Sequence, residues 1–103
     1  MLFGSIDLEE GLVIPESGSF YPQDGVVSVE LMSTDINSTK AIELQGSLSG
    51  TNWDTLQDLG EDIVLSLVKD APLVRSYNID KRLKVRLLVP SGTGNIAYYV
   101  AEG

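Results

Sequence analysis

The chain contains no histidine and no cysteine. Without cysteine there is no disulfide framework, no thiolate metal site and no cysteine nucleophile, and the redox compartment goes unmarked. Without histidine the commonest general base and the commonest transition-metal ligand are gone. A Ser-His-Asp triad cannot be built, nor a histidine-bearing zinc site. Long hydrophobic runs are missing as well, so no membrane span is expected. The opening Met1-Leu2-Phe3-Gly4-Ser5 has neither a basic region nor a long apolar stretch, so no signal peptide is expected.

Basic residues are scarce and unevenly placed. The net charge is -8, and the first base is Lys40. Before it stand seven acids (Asp7, Glu9, Glu10, Glu16, Asp24, Glu30, Asp35) with nothing to balance them. Phosphate binding is largely electrostatic, so free nucleic acid is excluded as an expected partner. A protein surface of mixed charge fits better.

What the chain does have is alternation. With 103 residues and 43% hydrophobic content it can fill one core without staples, so a single domain over residues 1–103 is expected. Val27, Val29 and Leu31 alternate with Ser28, Glu30 and Met32. Ile42 and Leu44, then Leu83, Val85 and Leu87, then Ile96, Tyr98 and Val100 repeat the pattern. A period of two puts each set on one face of a strand. Further strand candidates are residues 2–8, 11–14, 53–58 and 72–79. Clusters of Gly, Pro, Asn, Asp and Ser punctuate these runs, as turns do. The spacing predicts an antiparallel β-sandwich of about eight strands, jelly-roll or immunoglobulin-like.

Residues 62–68 read as a strand through Ile63, Leu65 and Leu67. A helix through Leu56, Leu59, Ile63 and Leu67 is the alternative, burdened by Gly60. The stretch Pro15–Asp24 reads as a long loop, able to serve as an arm on a neighbour. Ser91-Gly92-Thr93-Gly94-Asn95 reads as a β-hairpin connection, because a strand and not a helix follows it.

Candidate chemistry is thin. The pairs Glu9-Glu10 and Glu61-Asp62 sit in turn contexts, and neighbours on a strand point to opposite faces, so glycosidase geometry is not expected. Asp54, Asp58, Glu61 and Asp62 are of the right type for calcium, but lack the spacing of an EF-hand loop. Asn37-Ser38-Thr39 reads as a polar loop. No metal, cofactor or catalytic activity is expected.

Two surface features remain. Arg82, Lys84 and Arg86 alternate along one strand, with Arg75 and Lys81 close in sequence. They form either a solvated strand face or a docking face for an acidic neighbour. Trp53 with Tyr98 and Tyr99 could stack on a sugar; otherwise Trp53 belongs to the core and one tyrosine faces out.

Residues 43–56, Glu-Leu-Gln-Gly-Ser-Leu-Ser-Gly-Thr-Asn-Trp-Asp-Thr-Leu, resemble a Leu-Gln-Gly-Ser-x-Asp-Gly-x-Asn-Trp-x-x-Leu hairpin of small phage virion proteins. Discoidin-like sugar-binding sandwiches carry a similar hairpin. Ser49 stands where aspartate is common. In this hairpin Ser49 to Asn52 turn the chain, and Trp53 and Leu56 re-enter the core. The resemblance implies a capsid decoration (cement) protein, made in the host cytoplasm and carried on the virion. It would bind the major capsid protein on the outer lattice, as a homo-oligomer with a trimer favoured. Alternatives are a carbohydrate-binding module and a tail or neck adaptor.

Overall fold

An extended segment with apolar side chains at every second position buries that row only by laying it against a second sheet. The computed structural model, which describes residues 1–9 and 12–102, shows this outcome. Eleven strands form among the described residues: β1 (Leu2–Asp7), β2 (Val13–Ile14), β3 (Val26–Met32), β4 (Lys40–Ser47), β5 (Asp54–Thr55), β6 (Gln57–Asp58), β7 (Glu61–Asp62), β8 (Val64–Leu67), β9 (Leu73–Asn78), β10 (Lys84–Leu88) and β11 (Asn95–Ala101). Every pairing is antiparallel, and no helix occurs among the described residues.

The first sheet has the order β1-β11-β3-β9. The second runs β2-β10-β4, and two short strands share the far edge of β4. There β5 pairs with Gln45 and Gly46, and β8 pairs with Lys40 to Glu43. Between them Leu44 accepts from Leu56 N–H at 2.8 Å and donates to Ile63 O at 3.2 Å. Residues 57–62 are thereby pushed out of the ladder as a separate two-stranded ear, β6–β7. The inward rows of both sheets are buried: Val27, Val29 and Leu31; Ile96 and Val100; Ile42 and Leu44; Val85 and Leu87.

Several expectations are corrected. The strands number eleven because 53–58 breaks into β5 and β6, with the ear between β5 and β8. The strand read at 62–68 is borne out as β8, and it is the helix alternative that falls. Leu59 and Gly60 adopt positive φ (53° and 82°), which closes a two-residue hairpin and cannot continue a helix. The Pro15–Asp24 segment is no free arm. Phe20 is buried and bonds to Val85 in both directions at 2.8 and 3.0 Å, and Gln23 N–H donates to Glu102 O at 2.6 Å.

The Gly-rich 91–95 segment is not a hairpin either, because β10 and β11 lie in different sheets. It is a crossover stitched to the 33–39 loop. Asn95 N–H donates to Asp35 Oδ1 at 2.9 Å, and Asn37 N–H to Thr93 O at 3.3 Å. The Asn95 amide holds the Asp35 carboxyl below its ordinary range. The buried Lys40 ammonium donates to Ser91 O and Ser38 Oγ, both at 3.2 Å.

Candidate functional site

Since the inward rows fill the core, whatever the molecule does at its surface falls to the outward rows, and the two sheets use theirs differently.

On the first sheet, register places Phe3, Tyr99, Glu30 and Val74 side by side across all four strands. Phe3 is 71% exposed, Tyr99 49% and Val74 57%. The Phe3 and Tyr99 rings stack at 6.2 Å between centroids. The next rows are nearly as plain: Ser5, Ala97 and Met32 on one side, Ala101, Ser28 and Ser76 on the other. The two serines bond to each other at 2.7 Å. A shallow groove of about 290 Å³ is lined by Met1, Glu30, Val74, Tyr99 and Ala101. Among the described residues Glu30 is the one charged side chain within these rows of apolar and hydroxyl residues, with Asp7 at one end and the Met1 ammonium, paired to Glu102 at 3.3 Å, at another edge.

On the second sheet, Lys84 stands opposite Ser47, and Arg86 opposite Gln45. The Arg86 guanidinium lies 4.2 Å from the Trp53 ring centroid, and its Nε donates to Gln45 Oε1 at 2.8 Å. The Lys84 ammonium lies 6.0 Å from the Tyr21 ring centroid. It also rests on the turn at Gly50, where φ is +80° and an added Cβ would come within 2.9 Å of Nζ. Stacking on aromatic faces holds both cations in place. Among the described residues no carboxylate lies within 4.0 Å of either one.

These positions revise the sequence-based candidates. Trp53 is half-buried on the outer face of the second sheet and is not part of the core; only Leu56 turns inward. The reason is register: Asp54 pairs with Gly46, whose neighbour Ser47 already ends the ladder, so Trp53 lies beyond it against Arg86. Tyr98 is a core residue, and its hydroxyl accepts from Glu16 N–H at 3.3 Å. Tyr99 points out from the first sheet. Trp53, Tyr98 and Tyr99 therefore occupy three separate environments, and no common stacking platform forms.

The basic stripe also breaks up. Strand β10 begins at Lys84, so Arg82 sits in the preceding turn with Lys81. Arg82 is bound to Asp80, Nη2 to Oδ2 at 2.6 Å. This contact holds the Asp80 carboxyl down to about 2, chiefly through the Arg82 side-chain hydrogen bonds and next through its N–H. Arg75 lies on β9, in the other sheet, at an exposed edge. Only Lys84 and Arg86 remain a pair.

Asp54, Asp58, Glu61 and Asp62 do not converge; among the described residues no group of acids is placed to hold a metal ion. Glu10 lies outside the described residues. In the cleft lined by Ser5, Asp7, Leu12, Glu16 and Asn95, Asp7 accepts from Glu9 N–H at 3.0 Å. No helix among the described residues is long and apolar enough to cross a membrane.

Sequence reasoning missed the outer face of the first sheet. Its signal lies in doubled apolar pairs, Leu2-Phe3 and Tyr98-Tyr99, where strict alternation calls for a polar second member. The chain matches no protein-family model, no curated protein and no solved structure.

Proposed function

We propose that this chain is a structural protein of a bacteriophage particle. It binds the outer surface of the capsid and reinforces the shell, docking through the outer face of its first sheet. One observation carries this reading: the exposed Phe3–Tyr99–Glu30–Val74 row, a contiguous apolar surface that the fold itself does not use. The occupant is a capsid subunit with an apolar surface and a lysine or arginine to meet Glu30, since a lone carboxylate buried without a partner is costly. Contacts of this kind stabilise a shell by mass action, because they must break before it opens. The phage assignment itself rests on the resemblance of residues 43–56 to virion hairpins. The carbohydrate-binding alternative loses its footing with the separation of Trp53, Tyr98 and Tyr99.

The test is saturable binding of the purified protein to undecorated shells of the capsid protein encoded in the same genome. Wild type is expected to bind and to raise the temperature at which the shells open. Phe3→Glu combined with Tyr99→Lys is expected to weaken binding by roughly 100-fold with an unchanged circular dichroism spectrum. Binding to tail or neck assemblies and not to shells would replace the capsid reading with the adaptor reading. Binding by wild type and variant alike would move the docking face elsewhere.

A further inference from the structure

The second sheet presents a different problem: a cation pair with no acid beside it, on a chain with a net charge of -8. An acidic protein has carboxylates to spare, yet Lys84 and Arg86 are seated on rings instead of being paired with them. Gln45 takes Arg86 Nε, and among the described residues no carboxylate takes the two terminal guanidinium nitrogens. Such an arrangement is already ordered for a carboxylate ligand. Trp53 and the half-exposed Tyr21 border it with apolar surface.

The same chain carries a matching ligand. The β6–β7 ear stands out from the β4 edge and displays Asp58, Glu61 and Asp62, all exposed. At its tip Leu59 is 97% exposed with φ at 53°. Two-residue turns of this type favour asparagine, aspartate or glycine at that position. A leucine there carries backbone strain, and in the isolated molecule it buries nothing in return.

We propose that the Lys84–Arg86 face receives the acidic ear of a second copy of this chain, with Leu59 set against Trp53 and Tyr21. The two patches are different parts of one molecule, so two copies satisfy both by exchanging them across a two-fold axis, or several copies by passing them head to tail round a closed ring. Identical subunits of net charge -8 repel at long range. Local pairing of the ear's acids with the cation pair offsets this, and it makes association sensitive to salt. The contact uses the second sheet and leaves the first sheet free, so it stands or falls separately from capsid binding.

Sedimentation of the purified protein across concentration and salt tests it. Wild type is expected to form a closed oligomer that dissociates as salt rises. Lys84→Glu with Arg86→Glu, and separately Asp58→Lys with Glu61→Lys, should each weaken association by roughly 100-fold. The second pair lies on an exposed hairpin and keeps the test valid if the first disturbs the Trp53 packing. Mixing the two variants should restore assembly, because each ear then meets a face of opposite sign. Leu59→Asn should raise the melting temperature and weaken association by about tenfold, the two effects having opposite signs. A wild type that stays monomeric at low salt overturns the proposal. So do charge-reversed variants that keep the wild-type mass, or a mixture that fails to reassociate.

Discussion

The outward rows of the two sheets come from the same kind of strand and end up with different chemistry. On the first sheet Phe3, Tyr99 and Val74 lie open to solvent around a single Glu30. On the second, aromatic rings serve as seats: Trp53 lies under Arg86 and Tyr21 under Lys84. Beyond the modest gain of the Phe3–Tyr99 cross-strand pair, these exposed apolar side chains add little to folding. Such a face is best explained by a partner that removes it from water. Seated cations are the opposite case. Their long stems can cover apolar rings while the charged ends remain open to an anion. One face is suited to area burial that survives high salt, the other to oriented, salt-sensitive pairing.

The sharpest test of inward against outward rows uses adjacent residues. Tyr98→Ala should cost about 3–5 kcal/mol in urea unfolding, as large aromatic deletions in cores do, because Tyr98 is 4% exposed and bonded to Glu16 N–H. Tyr99→Ala should cost less than about 1 kcal/mol. Equal losses would erase the distinction between the rows.

A smaller effect probes the seated cation. Trp53→Ala should cost about 1–2 kcal/mol, below the core value, because the ring is only half-buried. A double-mutant cycle with Arg86→Ala should show coupling of about 0.5–1 kcal/mol. A loss as large as that of Tyr98→Ala would return Trp53 to the core, and zero coupling would dissolve the stack.

The smallest effect belongs to the cation that is already paired. Asp80 titrates at about 2 because Arg82 binds its charged form. A depressed carboxylate contributes stability that is present above its ordinary range and is lost as pH falls through about 2. Arg82→Ala should raise the Asp80 titration, followed by carboxyl carbon NMR, part of the way to the ordinary carboxylate range, since the backbone N–H at position 82 still donates to Asp80 Oδ1. It should lower the melting temperature at neutral pH only slightly, the pair being exposed and screened. Both groups are exposed, so an unchanged Asp80 titration is the result that would contradict the pairing.

Much of the fold was legible in advance. The rows Val27-Val29-Leu31, Ile42-Leu44, Val85-Leu87 and Ile96-Tyr98-Val100 are buried where alternation placed them. A period of two is a local property of the backbone, and burying one face follows from it. The candidate site was legible only in fragments. Lys84 and Arg86 share a face as alternation requires, but Arg82 does not, because the strand starts two residues later and Asp80 captures it in the turn. Tyr21 could not be tied to Lys84 from sequence, since only the return of Phe20 onto Val85 brings it there.

By itself the sequence determined the strand periodicity, the all-β class, the inward rows and the absence of histidine and cysteine chemistry. These depend on neighbours along the chain or on residue types alone. Only the tertiary structure decided which strands share a sheet, that residues 91–95 cross between sheets, and that 57–62 leave the ladder as an ear. It also decided that Trp53 seats a cation on one side of the sandwich while Tyr99 lies open on the other. Each of those outcomes turns on pairing between segments distant in sequence, where the energy of closing both sheets over one core outweighs any local preference.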